Sequence, residues 1–193
     1  RISDKGDNLG WLHNMELEAS YEMNARNLFS LSFGGYSYDV DINYNKTTSL
    51  FSRNNTVIYS YAENLHDSYQ RFFDFNGHID YQHLTGREGE ALTFFYLLST
   101  TNTRQRADWV YSDMENMPVD YSAFDSRKKN NFADHTFQFD WERPLSEHHQ
   151  LSMGTKYIFR DNSSLSQFGY DNGTKNHTDF AHYTHIAAVY GEY

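Results

Sequence analysis

Cysteine is absent from the 193-residue sequence, which excludes disulfides, thiolate metal sites and a cysteine nucleophile. Proline occurs only twice, too seldom for a proline-rich linker or a loop-dominated chain. No stretch approaches the ~18 consecutive apolar residues of a transmembrane helix. Positive charge is also scarce: 16 Lys and Arg stand against 26 Asp and Glu, a net charge of −10. Nucleic acid is therefore not an expected partner, because phosphate backbones are held by clustered Lys and Arg. What the chain has in excess is aromatic side chains, with 16 Tyr, 15 Phe and 3 Trp making up 18% of it. A disordered segment is poor in such residues. A chain both polar and aromatic is reconciled most simply by strands with two unlike faces.

Periodicity supports that. Met15, Leu17, Ala19, Tyr21 and Met23 alternate with Glu16, Glu18, Ser20 and Glu22, the two-residue period of a strand with one wet face. The alternation returns as Phe29, Leu31 and Phe33, then changes parity to Tyr36, Tyr38, Val40, Ile42 and Tyr44. The intervening Gly34-Gly35 predicts a β-bulge where the phase slips. Further runs are Phe73, Phe75, Gly77, Ile79, Tyr81; Phe137, Phe139, Trp141; and Leu151, Met153, Thr155, Tyr157, Phe159. The segment 92–100 is apolar on both parities, and a last strand runs from about Phe180 to the end. No window carries a helical apolar stripe with matching caps. The expected fold is all-β, an antiparallel meander of about seven strands, each roughly ten residues long and matching a tilted bilayer span.

The connections alternate in length. Short turns are expected near 24–27, 85–90 and 143–148, and long polar links over roughly 45–67, 102–133 and 161–179. Transmembrane β-barrels place short turns at one end and long loops at the other. In such a barrel the apolar face meets lipid and the polar face lines the lumen, whereas in a soluble sandwich the apolar face is the core. Alternation alone does not separate the two. Strand length, aromatic residues near strand ends and a charged polar face favour the barrel. The alternative is a soluble all-β surface module, glycan-binding or adhesin-like.

One region carries a family pattern. His135-Thr136-Phe137-Gln138-Phe139-Asp140-Trp141 is followed by Pro144-Leu145, then Leu151, Gly154, Lys156-Tyr157 and Arg160-Asp161-Asn162-Ser163. This resembles the barrel of TonB-dependent outer-membrane receptors, in the branch described as the outer-membrane β-barrel family. The similarity is strongest over 134–164, and Phe33–Tyr38 and Tyr183–Tyr193 are similar in style. The resemblance implies residence in the bacterial outer membrane and lipid contact through the apolar strand face. It also implies energy-coupled import of an unidentified ligand, with a plug domain and a periplasmic energy-coupling protein as partners. Neither the plug nor the coupling box has a counterpart in the sequence. The opening Arg1-Ile2-Ser3 and the closing Val189-Tyr190-Gly191-Glu192-Tyr193 both read as excision points. Residues 1–193 are accordingly expected to be one fragment of a barrel domain that does not transport by itself.

The site candidates follow from the two faces. Asp74, Asp80, Gln138, Asp140, Lys156 and Arg160 are assigned to the lumen, within an acidic wall that also includes Glu16, Glu18, Glu22, Asp39, Asp41 and Glu142. Phe73, Phe75, Ile79, Phe137, Phe139, Trp141, Leu151, Met153, Tyr157 and Phe159 are assigned to lipid. Ligand contact is expected at loop aromatics, namely Tyr59, Tyr61, Trp109, Tyr111, Tyr121 and Phe168, because Tyr and Trp offer rigid faces at low entropic cost. No enzyme is expected. Carboxylate pairs such as Asp74 with Asp80 or Asp140 with Glu142 arise on any charged strand face, and no G-x-S-x-G elbow occurs. His177, Asp179, His182 and His185 form the densest histidine cluster, yet positions 182 and 185 of a strand point to opposite faces. No metal or cofactor is expected.

Overall fold

The computed structural model describes residues 1–193 and is a single antiparallel sheet of seven strands in sequence order. The strands are β1 (Ile2–Asn24), β2 (Asn27–Phe51), β3 (Val57–Leu84), β4 (Ala91–Glu115), β5 (Ala123–Ser146), β6 (His149–Tyr170) and β7 (Lys175–Glu192). Every strand pairs only with its chain neighbours, so the sheet is a meander with β1 and β7 as its edges. A sandwich needs a second sheet to close its core, and none is present. Only six of the 193 residues are buried, four of them Leu65, Ala91, Ser68 and Thr136. A one-layer wall this long leaves both faces available to other surroundings.

The strands run 18–28 residues, not the ten or so that apolar alternation marks. The predicted long links prove to be largely strand: the links at that end shrink to 52–56, 116–122 and 171–174. Alternation ends where the apolar face ends, but backbone pairing does not depend on it, and 129 backbone hydrogen bonds lie within the sheet. A tilted bilayer span uses about 9–11 residues. Strands of 18–28 residues are therefore long enough to continue well past such a span on paired backbone. At the opposite end the connections are 25–26, 85–90 and 147–148.

Gly34-Gly35 carries no bulge. Gly34 stands opposite Glu16 and Asn76, and Gly35 opposite Met15 and Phe75, in unbroken register on both sides. The parity change is instead a change in which face of β2 is aromatic. Phe29, Leu31 and Phe33 share a face with Ile79 and Tyr81, while Tyr36 and Tyr38 lie on the opposite face, where Tyr38 stacks on Phe72 at 5.3 Å. Asp39 and Asp41 consequently continue the apolar face and leave the expected acidic wall. Irregularities fall elsewhere, among them those near Glu22/Asn24, Ile42/Tyr44 and Pro144/Ser146. At the second of these, β3 carries one extra residue near Asp67, whose φ of 51° is left-handed.

The turn end is fastened by side chains. Thr85 Oγ1 and Trp141 Nε1 both donate to the Glu90 carboxylate, at 2.6 and 3.1 Å. Gly89 takes a φ of 73°, and a Cβ there would come within 2.7 Å of Pro144 Cγ. A left-handed backbone against a neighbouring proline ring leaves room for glycine only.

Candidate functional site

Cross-strand register assigns each side chain to a face. One face carries Phe73, Phe75 and Ile79 of β3, Phe137, Phe139 and Trp141 of β5, and Leu151, Met153, Tyr157 and Phe159 of β6. Many of these are exposed, Phe139 at 45% and Met153 at 46%. Polar tips appear on this face where Tyr96 meets His135 Nδ1 at 2.9 Å and Tyr157 meets His185 Nδ1 at 2.7 Å. The other face carries Asp74, Asp80, Gln138, Asp140, Lys156 and Arg160. These six are spread over three strands and form short local links instead of one site. Thr101 donates to Asp74 at 2.7 Å, Gln138 to Asp140 at 2.8 Å, and Arg160 pairs with Asp134 at 3.0 Å.

The six aromatic candidates do converge. Tyr59 stacks on Tyr61 (6.4 Å between ring centroids), Tyr61 meets Tyr111 (6.0 Å), and Tyr111 meets Tyr121 (5.9 Å). From Tyr121 the series continues to Tyr170 (4.6 Å) and Phe124 (4.9 Å). Phe124 in turn stacks on Trp109 (4.9 Å) and touches Phe168 (6.1 Å). Eight half-buried rings thus make one ribbon from β3 to β6, at the far end from the short turns and on the same face as Asp74 and Asp140. Five of the six candidates stand on strands; Tyr121 alone lies in a connection.

Register explains the convergence. Tyr59/Tyr61, Trp109/Tyr111 and Phe168/Tyr170 are each spaced i, i+2, so both rings of a pair project from one face. Pairing then lays them side by side: Glu63 opposite Tyr111, Leu65 opposite Trp109, and Phe124 opposite both Trp109 and Tyr170. Phe124 and Tyr170 were not among the sequence candidates. For Tyr170 the signal was present in its i+2 spacing from Phe168, while Phe124 is isolated in sequence.

Tyr121 is held by its connection. Tyr111 N–H donates to the Ser122 carbonyl at 2.7 Å, and Ser122 donates to Asp171 through both its backbone N–H (3.0 Å) and its hydroxyl (2.5 Å). Hydrogen bonding by Ser122 holds the Asp171 carboxyl below its ordinary range. Asn172 Nδ2 adds a bond to Asp120 at 3.0 Å. The connections 116–122 and 171–174 are thereby tied together.

A carboxylate lies within the ribbon. Tyr44 donates its hydroxyl to Glu63 at 2.5 Å, and burial together with that bond raises the Tyr44 pKa. Burial, with the charge of Glu63 next in effect, pushes Tyr111 up to about 12. Tyr44 and Tyr111 therefore stay neutral hydroxyl donors on either side of Glu63. Such a surface can stack flat rings or sugars and can donate hydrogen bonds. The histidines do not assemble: His182 stands opposite Asn162 and His185 opposite Phe159, on different faces, and no group of three metal-ligating side chains occurs.

A single antiparallel meander with one apolar exposed face and one polar face has the form expected of the wall of a transmembrane β-barrel. The model of the outer membrane protein beta-barrel family matches residues 83–193, more than half of the chain. The chain belongs to that family, and its location is the bacterial outer membrane. No curated protein matches it. Among solved structures it is similar to the ferric yersiniabactin uptake receptor FyuA from Yersinia pestis, at 15% identity and a TM-score of 0.53. The similarity covers 93% of this chain and 25% of that receptor, so the chain spans about a quarter of the receptor's length.

Proposed function

We propose that residues 1–193 form one wall of the barrel of a TonB-dependent receptor that imports a ligand by energy-coupled transport. The apolar face contacts lipid, and the face bearing Asp74, Asp80, Gln138, Asp140, Lys156 and Arg160 lines the lumen. A plug domain and a periplasmic energy-coupling protein are the partners in the complete receptor, and no catalytic step is involved. The fold likeness to an uptake receptor supports this reading, and the aromatic ribbon carries it. Eight rings on the lumen-side face of extended strands form a rigid, low-entropy surface suited to a ligand with flat rings or sugar units.

The test is uptake and binding by the complete receptor bearing Trp109→Ala or Tyr111→Ala. Truncating a central aromatic anchor costs about 2 kcal/mol or more, so affinity is expected to fall about thirtyfold or more while the amount of assembled barrel is unchanged. Wild-type affinity and uptake in both variants would remove the ribbon from the binding surface.

A further inference from the structure

On the apolar face the chemistry changes a short way past Phe73, Tyr96 and Phe137. Along β3, Phe75 and Phe73 are followed on that face by Arg71; along β4, Leu98, Thr100 and Asn102 are followed by Arg104 and Arg106. Along β5, His135, Ala133 and Asn131 are followed by Lys129 and Arg127. The register sets these cations against one another: Arg71 opposite Arg104, Arg104 opposite Lys129, and Arg106 opposite Arg127. Five of the chain's 16 basic residues share one patch on three adjacent strands, in a chain of net charge −10.

Like charges directly opposite on paired strands are destabilising. The carboxylates on the same face relieve only part of this. Asp39 takes Arg71 at 2.9 Å and Asp108 takes Arg106 at 2.5 Å, while Asp41 and Asp125 lie at the margins. The Arg71 guanidinium also lies over the Tyr69 ring at 4.4 Å. Arg104, Arg127 and Lys129 are exposed and form no salt bridge. A shallow depression between Arg71 and Arg104 is lined also by Phe73 and Asn102.

We propose that this patch binds the phosphate groups of anionic lipids at the surface of the membrane. Guanidinium groups match phosphate oxygens in paired hydrogen bonds. Along β3 the patch follows the apolar band directly, so a lipid with its chains on Phe73 and Phe75 brings its headgroup to Arg71 and to Arg104 opposite it. Anions there remove the repulsion that the register builds in. The proposal rests on the outward facing of the apolar band.

The experiment uses the complete barrel, reconstituted in phosphatidylcholine vesicles with and without phosphatidic acid, and compares wild type with Arg104→Gln/Arg127→Gln/Lys129→Gln. Each cation at an anionic surface contributes about fivefold in affinity. Phosphatidic acid is expected to raise the unfolding temperature of the wild type, less so in high salt, and its apparent affinity is expected to be about a hundredfold lower in the variant, so that fractions saturating the wild type leave the variant almost unshifted. In phosphatidylcholine alone the variant is expected to unfold at the same temperature as wild type or higher, and Lys128→Gln, on the opposite face, keeps the wild-type response. Equal responses of wild type and triple variant to phosphatidic acid would overturn the proposal. So would an equal shift produced by inorganic phosphate in phosphatidylcholine, which would mark a soluble-anion site. Failure of the wild type to insert in phosphatidylcholine would refute the outward facing itself, and the proposal with it.

Discussion

Gly154 of β6 lies beneath Tyr190 of β7, whose ring crosses it so that the hydroxyl donates to the Asp140 carboxylate on β5. A Cβ at position 154 would collide with both the tyrosine ring and the carboxylate. The glycine is what lets a side chain bridge three strands on the face assigned to the lumen.

Gly154→Ala is therefore expected to destabilise the barrel by about 1–3 kcal/mol, the usual cost of overpacking. Gly154→Val is expected to cost more. Truncating Tyr190 to Ala removes one of the colliding groups, so the two substitutions are expected to be non-additive in a double-mutant cycle of denaturant midpoints. Strict additivity would show that Tyr190 does not sit over the glycine.

Arginine substitution separates the two faces energetically. At mid-bilayer depth an Arg facing lipid costs about 2–4 kcal/mol. Phe139→Arg and Met153→Arg are expected to reduce the assembled barrel sharply, while Gln138→Arg and Ser152→Arg are tolerated. Folded yield from outer-membrane preparations of the complete protein reads this out.

Tyr111 gives a pH signature. Its pKa in the folded protein is pushed up to about 12 from 10.0, so the folded state holds this proton more tightly than the unfolded state does. Its contribution to stability is fully present below pH 10.0 and is lost as the pH rises from there through about 12. Ultraviolet titration of tyrosinate is expected to lose a late-titrating component in Tyr111→Phe. An unchanged titration curve would contradict the burial of this hydroxyl.

The tie between the two connections is testable at Asp171. Its carboxyl, depressed by the Ser122 hydrogen bonds, stabilises the folded state above its ordinary pKa, and that contribution is lost as the pH falls through the lower folded value. Asp171→Ala is expected to free the 116–122 connection. Hydrogen exchange at Ser122 and the neighbouring amides would then speed up, with little change in the strands below. Equal exchange in variant and wild type would show that the tie does not order the loop.

The faces of the sheet were legible because alternation is a strand's own signature: Phe137/Phe139/Trp141 against Gln138/Asp140 needs no partner strand to be read. The extensions were not. Residues 102–115 and 123–131 are polar on one face and mixed on the other, so nothing in their sequence distinguishes a paired strand from a loop. Gly34-Gly35 misled because a parity change has two causes, a bulge or a switch of the aromatic face, and only the neighbours' register tells them apart. The ribbon was half legible. Its members were visible as aromatic residues, but Phe124 joins Trp109 to Tyr170 through pairings that no local pattern encodes.

Paired spin labels report whether the apolar face meets lipid and the polar face meets water. Labels at Phe139 and Gln138, adjacent in sequence and on opposite faces, would be read in the reconstituted barrel for accessibility to oxygen and to a polar relaxation agent. The structure predicts high oxygen access with little polar access at 139, and the reverse at 138. Inaccessibility of 139 to both agents would mean that this face is packed against protein, and would contradict the assignment.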